Sequence, residues 1–172
     1  MAKYSIIELN IRNGNLLGLD DLSNDKKKAL ERNNAIYIYR GTSSIKVYIG
    51  QTIHFIDRHK QHYNGTEETF NTAGFDKVLV IFSVYFNRSA LDDVESQFIT
   101  YFTADNSKEG VVSFDNDEVI NRTGANSANE YIEKENVASN VILPVWEKEL
   151  YQRGWVSTPT LDELRAKELV GF

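Results

Sequence analysis

The stretch from Asn34 to Tyr63 constrains the fold most, because two short apolar runs are joined by a polar link and followed by a helix-like segment. The runs, Ala35–Tyr39 and Lys46–Ile49, are rich in isoleucine and tyrosine, which favour β-strands. The link, Arg40–Ile45, contains the Gly and Ser residues typical of a hairpin loop. The sequence therefore predicts a β-hairpin, with Gly50 breaking the second strand.

The segment behind this hairpin, Ile53–Tyr63, contains neither Gly nor Pro. Phe55, His59 and His62 recur at helical spacing, so a helix would place them on one face. Arg58 lies four residues before His62, and the two side chains would therefore stand one turn apart on the same surface. We predict a helix here that presents a guanidinium and an imidazole together.

The N-terminal part of the chain contains two further local signals. Residues 4–19 predict a small hairpin about the turn Asn13-Gly14. Ser23 or Asn24 is expected to cap a short helix before the first strand of the predicted hairpin, Ala35–Tyr39.

The longest apolar run, Phe75–Phe86, follows a predicted loop at residues 66–76 and is typical of a central strand covered on both faces. A helix is predicted from Ser89 to Tyr101, with an apolar stripe on one side. Glu95 lies beside this stripe, so we expect its carboxylate to point along the sheet rather than into bulk water.

The rest of the chain is more acidic. Residues 103–118 predict a glycine-containing loop, and the chain from residue 129 onward predicts acidic helical segments ending with a helix at Thr160–Leu169. We expect residues 129–172 to act as a docking or capping element.

The length and composition of the chain indicate a globular protein of one domain, or one domain with an appendage. The 172 residues include no Cys, which excludes disulfides and thiolate metal sites. No apolar run approaches the roughly 20 residues of a membrane span, and the N-terminus lacks the apolar core of a signal peptide. We therefore expect a cytoplasmic protein with no membrane association.

The net charge of −6 is unevenly distributed along the chain. Residues 26–88 contain 10 basic and 5 acidic side chains, whereas residues 89–172 contain 7 basic and 16 acidic side chains. The hairpin and the helix behind it therefore form a basic island in an acidic chain. Such an island is what contact with phosphate requires, although solubility explains the acidic remainder equally well.

The triplets Ala35-Ile36-Tyr37 and Tyr48-Ile49-Gly50, followed by Arg58 and His62, resemble the GIY-YIG nuclease family. The resemblance covers about residues 34–123. It implies an α/β fold in which a small three-stranded sheet carries the two triplets and helices flank it. It also implies hydrolysis of a phosphodiester bond with a divalent metal.

The resemblance also implies roles for particular residues. The implied catalytic residues are Tyr37, Tyr48, Arg58, His62 and Glu95. Tyr37, assisted by Tyr48, would orient or deprotonate the water, Arg58 would stabilise the phosphate, and Glu95 would bind Mg²⁺ (or Mn²⁺). Residues expected to contact nucleic acid are Arg40, Lys46, Gln51, His54, His59, Lys60 and Asn121.

These residue types suit the chemistry. A carboxylate such as Glu95 provides the oxygen ligands that Mg²⁺ prefers, and the planar guanidinium of Arg58 provides fixed, bidentate charge. Tyrosine is a poor base at its usual pKa of about 10, so nearby positive charge must lower the pKa of a catalytic tyrosine. His62 or His54 is expected to share the proton transfer.

Two positions depart from the family pattern. Ala35 stands where the first triplet usually begins with Gly, which a strand tolerates unless the position requires a positive φ. Gln51 stands where some relatives have Lys, which leaves one cation fewer near the phosphate.

We predict an endonuclease of GIY-YIG type that acts on DNA, with an N-terminal extension (1–33), a nuclease domain (34–128) and an acidic C-terminal extension (129–172). No zinc-finger or helix-turn-helix pattern is present, so a separate DNA-recognition or motor domain is expected as a partner. The alternatives are a non-catalytic module that binds nucleic acid or protein, and a structural domain that does not depend on metal.

Overall fold

The computed structural model describes residues 3–42, 46–64, 68–105 and 131–169, and an antiparallel sheet of five strands lies at its centre. The strands are β1 (Tyr4–Arg12), β2 (Asn15–Leu17), β3 (Ala35–Arg40), β4 (Val47–Thr52) and β5 (Lys77–Ser83). Their order across the sheet is β2-β1-β5-β3-β4, so β5 is the central strand, as its apolar sequence predicts.

The sheet is wider than the three strands expected from the resemblance. The expected trio is present as β5-β3-β4, and β1 pairs with β5 from Tyr4 opposite Ser83 to Asn10 opposite Lys77. The predicted turn Asn13-Gly14 has positive φ at both residues and leads into β2. β1 joins the sheet because it buries its alternate apolar side chains and supplies the backbone partners that one side of β5 would otherwise lack.

The helices enclose the sheet on both faces. They are α1 (Asn24–Arg32), α2 (Phe55–Asn64), α3 (Glu68–Thr72), α4 (Arg88–Asp105), α5 (Lys134–Val137) and α6 (Leu161–Leu169). A 3₁₀ turn at Leu19–Asp21 precedes α1, and π-helical segments at Ala138–Ile142 and Val145–Leu150 follow α5.

Capping side chains set the starts of two helices. The Ser23 hydroxyl accepts a hydrogen bond from the backbone N–H of Lys26 at 3.3 Å, which confirms the predicted cap of α1. For α4 the predicted cap, Ser89, is wrong. Asn87 accepts from the backbone N–H of Ala90 at 2.9 Å instead, so α4 begins earlier than expected.

Two other predictions from local sequence are wrong because contacts between distant segments decide the structure there. Gly50 does not break the second strand of the hairpin, since β4 continues through it to Thr52 and gains backbone partners on β3. The predicted loop at 66–76 contains the short helix α3, which is held by the buried ring of Phe70.

The two faces of the sheet have separate hydrophobic cores. On one face, the tyrosines of β3 and β4 pack with apolar side chains of α1, α2 and α3. On the other face, isoleucines of the same strands pack with α4 and with the described C-terminal residues. The side chains of β5 contribute alternately to both cores, which confirms that this strand is doubly covered.

The described C-terminal residues share the second of these cores. The indole of Trp146 is fully buried, donates to the backbone carbonyl of Thr158 at 2.9 Å and lies 5.3 Å from the ring of Phe102 on α4, centroid to centroid. Arg153 also forms ion pairs with Glu8 of β1 and with Glu149. The division of the chain into three segments stays a prediction. In the described part of the chain, no helix has the length and apolar character needed to cross a membrane.

We expect Trp146→Ala to lower the free energy of unfolding by about 3–5 kcal/mol, because it removes a large buried ring and leaves a cavity beside α4. Urea denaturation followed by circular dichroism measures this change. Tyr151→Ala is the matched control, since Tyr151 is 38% exposed on the same segment and its loss should change stability by less than about 1 kcal/mol. Equal effects of the two substitutions would contradict a shared core.

Candidate functional site

A buried tyrosine–histidine pair lies where the hairpin and α2 meet. The hydroxyl of Tyr37 on β3 is 2.8 Å from Nε2 of His62 on α2, and each residue is only 1% exposed. Burial raises the pKa of Tyr37 to about 12, while burial and the neighbouring charge of Arg58 lower the pKa of His62 to about 3. Both groups are therefore neutral at neutral pH, and a single hydrogen bond joins them.

The second triplet ends in glycine because the ring of Tyr37 occupies the space of a side chain there. Gly50 is the cross-strand partner of Tyr37, and a Cβ atom on Gly50 would lie 2.4 Å from both Cζ and Oη of the tyrosine. The requirement is a close approach of the ring to the backbone rather than an unusual backbone conformation.

Tyr48 and Arg58 complete the surroundings of the pair. The ring of Tyr48 stacks on that of Tyr37, with centroids 6.0 Å apart, and lies 5.0 Å from the imidazole of His62. Arg58, half-buried on α2, donates to Oε1 of Gln61 at 3.2 Å. Its positive charge also opposes the effect of burial on the pKa of Tyr37, so the guanidinium acts directly on the tyrosine hydroxyl.

Glu95 approaches the same tyrosine from α4. Its carboxylate is 3% exposed, and its negative charge adds to the raised pKa of Tyr37. The amide nitrogen of Gln51 donates to Oε2 of Glu95 at 2.9 Å and to Oδ1 of Asp92 at 2.5 Å. The sequence analysis missed Asp92, although its position three residues before Glu95 on an amphipathic helix was a usable signal.

These carboxylates fit a divalent cation. The oxygens of Asp92 and Glu95 lie within two hydrogen-bond lengths of each other, because both accept from one nitrogen of Gln51. Mg²⁺ is typically bound by one or two carboxylates and keeps several waters. Within the described ranges, no group of three or more His, Asp or Glu side chains is arranged to hold a metal.

A second tyrosine–histidine pair lies beside the first. The hydroxyl of Tyr39 is 2.6 Å from Nδ1 of His59, whose Nε2 lies 2.8 Å from the backbone carbonyl of Gly14. Because that carbonyl only accepts and burial lowers the pKa of His59, Nε2 carries the proton and Nδ1 accepts from Tyr39. His59 therefore links α2 to the N-terminal turn, and this position does not favour the predicted contact with nucleic acid.

The remaining residues predicted to bind nucleic acid are dispersed. Arg40 lies at the end of β3 and, by strand alternation, on the face opposite Tyr37, where it lines a small cavity of about 190 Å³ with Arg153 and Trp155. Burial lowers the pKa of Arg40, and the carboxylate of Asp105 opposes that effect. Arg40 is thus separated from the tyrosine pair.

The other residues predicted to contact nucleic acid lie partly on the protein surface and partly beside the carboxylates of α4. His54 and Lys60 are exposed, and Nδ1 of His54 donates to the backbone carbonyl of Glu31 at 2.7 Å. Lys46 is half-buried and directly precedes β4. Gln51 directs its amide toward α4, and Asn121 lies outside the described residues.

We expect Gly50→Ala to destabilise the protein by about 1–3 kcal/mol, because the added methyl group overlaps the ring of Tyr37. Chemical denaturation of a double-mutant cycle checks the cause. In a Tyr37→Val background the ring is absent, and Gly50→Ala should then cost much less. A cost that is the same in both backgrounds would rule out this clash as the reason for the glycine.

We also expect stability to fall as the pH drops below about 6.5. The pKa of His62 is lowered by folding, so the unfolded chain binds the extra proton first, and each such group removes about 1.4 kcal/mol per pH unit between its unfolded pKa and its folded pKa of about 3. Denaturation midpoints between pH 4 and 8 measure the slope. His62→Gln should reduce it, and a slope that this substitution leaves unchanged would contradict the assignment to His62.

Comparison with known proteins adds one finding. Residues 33–109 match the family model described as the GIY-YIG catalytic domain. No curated protein and no solved structure matches the chain. The matched segment includes both tyrosine triplets, α2 with Arg58 and His62, and Glu95 on α4. The similarity to the GIY-YIG catalytic domain therefore covers residues 33–109, which include the hairpin, α2 and α4.

Proposed function

We propose that this protein is a divalent-metal-dependent endonuclease that hydrolyses phosphodiester bonds of DNA. A GIY-YIG domain implies a nuclease-type function. The observation that carries the finer proposal is the convergence on one hydroxyl: Tyr37 contacts His62, and its pKa responds to the opposite charges of Arg58 and Glu95. A base, a phosphate-binding cation and a metal-binding carboxylate are the groups that hydrolysis of a phosphodiester needs.

Tyr37 and His62 are proposed to activate the water as a pair. With a pKa of about 12, Tyr37 is almost fully protonated at neutral pH and cannot act alone as the base. It can take a proton from water if it passes its own proton to Nε2 of His62, the nitrogen within hydrogen-bond distance. A bound phosphate would assist, since its negative charge stabilises the imidazolium that burial otherwise disfavours.

Arg58 and the α4 carboxylates are proposed to bind the phosphate and the metal. The guanidinium of Arg58 would bind the scissile phosphate and stabilise the charge that develops on it. Glu95 would hold Mg²⁺ or Mn²⁺, and a bound cation would polarise the phosphate and lower the pKa of a coordinated water.

Contact with DNA is proposed at the end of the sheet where β3 begins. Ala35 pairs with Thr52 on one side and with Phe82 on the other, so the Gln51 end of β4 and the last residues of β5 share this end. A cleft of about 530 Å³ opens beside it, and Lys3 and Arg32 line the cleft. These cations would bind phosphates next to the cleavage point.

Phosphate contacts of this kind provide affinity without sequence selectivity. We therefore propose that a separate recognition or motor domain selects the site. A cytoplasmic location stays a prediction from the sequence.

One observation favours a second candidate, a non-catalytic module that binds nucleic acid. The hydroxyl-bearing residues Tyr37 and Tyr48 are only 1% and 2% exposed, so water reaches neither freely in this conformation. A catalytic site must admit both water and phosphate.

Nicking of supercoiled plasmid tests the proposal. We expect the parent to nick with Mg²⁺ or Mn²⁺ and to stop with chelator. Tyr37→Phe should slow nicking by about 10²–10⁴-fold, because it removes the proton-transferring hydroxyl and conserves the ring. Glu95→Gln should abolish nicking and mostly spare DNA binding.

Tyr39→Phe is the matched control, since it makes the same change in the neighbouring tyrosine–histidine pair and should retain activity within about threefold. Nicking by Tyr37→Phe at the parental rate would reject Tyr37 as the proton-transferring group. Binding of DNA by folded parent that never nicks would favour the non-catalytic module.

A further inference from the structure

The side chain of Gln51 takes no part in the proposed proton transfer between Tyr37 and His62. It follows the second triplet on β4, and strand alternation turns its side chain away from the face of Tyr37 and toward α4. There its single amide nitrogen donates one hydrogen bond to Asp92 and one to Glu95. Both of its N–H groups are therefore used to hold two carboxylates side by side.

Two adjacent carboxylates repel each other unless something between them compensates. The NH₂ group of a glutamine provides only partial positive charge, so it orients the oxygens of Asp92 and Glu95 without neutralising them. The arrangement keeps two carboxylates next to each other, one of them on a buried side chain.

We propose that Asp92 and Glu95 together bind the divalent cation and that Gln51 is the positioning residue that holds them ready for it. The inference rests on the proposed metal-dependent function and adds a second carboxylate to it. A glutamine suits this role better than a lysine, since an ammonium group between the carboxylates would compete with the cation for the same oxygens.

The neighbouring carboxylate on α4 is engaged elsewhere. Asp93 is 3% exposed and its Oδ2 accepts from the hydroxyl of Tyr131 and from the amide of Gln97, both at 2.9 Å. Asp93 therefore ties α4 to the C-terminal segment. Asp92, which is half-buried beside Gln51, is the carboxylate with access to the site.

Binding of Mn²⁺ to the folded protein without DNA tests the proposal independently of activity. Electron paramagnetic resonance of free Mn²⁺ gives the dissociation constant. We expect Asp92→Asn, Glu95→Gln and Gln51→Leu each to weaken binding by about tenfold or more, since loss of a residue that orients a metal ligand typically costs about 10–100-fold in metal affinity. Asp20→Asn, the same change at an exposed residue far from α4 in the chain, should leave the affinity as in the parent.

Two substitutions of Gln51 test the positioning role. Gln51→Glu places a third carboxylate beside the other two, so the metal-free protein should melt at a lower temperature while Mn²⁺ binds more tightly than to the parent. Parental Mn²⁺ affinity in folded Gln51→Leu would overturn the positioning role, and weaker binding by Gln51→Glu than by Gln51→Leu would overturn the placement of residue 51 beside the cation.

The outcomes distinguish this inference from the proposed function. Weak binding by Glu95→Gln together with parental binding by Asp92→Asn would overturn the shared site and leave Glu95 as the metal ligand. Parental binding by Glu95→Gln, or no binding of Mn²⁺ by the folded parent, would contradict both the inference and the metal assignment on which it rests.

Discussion

The hydrogen bonds between buried tyrosines and histidines hold α2 on the sheet, and the candidate site depends on them. A buried hydroxyl without a partner costs about 1–3 kcal/mol in proteins. Tyr37 and Tyr39 lie two apart on β3 and face the same side, and His62 and His59 lie three apart on α2 and face the strands. Because residues two apart on a strand and three apart on a helix point in the same direction, each tyrosine hydroxyl meets one imidazole. The two hydrogen bonds together fix the position of α2 on the sheet. The proposed base is thus part of the hydrophobic core.

The site joins two electrostatic environments across the edge strand β4. On one face the tyrosine–histidine pair is buried and neutral, because burial raises the pKa of Tyr37 and lowers that of His62. On the other face Gln51 keeps two carboxylates together at α4. Arg58 provides the positive charge near the tyrosine. A phosphate and a cation would balance these charges, and this complementarity supports phosphodiester chemistry at this strand.

Helices and strands were predicted correctly where a single pattern in the local sequence was strong. The apolar run around β5 predicted a doubly covered strand, and the spacing of Phe55, His59 and His62 predicted the buried face of α2. Prediction failed where contacts distant in sequence decided the outcome. β4 continues through Gly50 because it gains backbone partners on β3, and β1 joins the sheet because β5 has a free side. Neither reason is visible in the surrounding residues.

The sequence by itself determined which chemical groups are present and which of them share an element, because strand and helix periods fix relative direction within a segment. Tyr37, Tyr48, Arg58 and His62 follow from that rule and from the family pattern. Only the tertiary structure decided that His59 is bound between Tyr39 and the N-terminal turn and that Arg40 lies on the opposite face. It alone brought Gln51 to the carboxylates 41 and 44 residues away, since sheet pairing and helix packing set distances between segments.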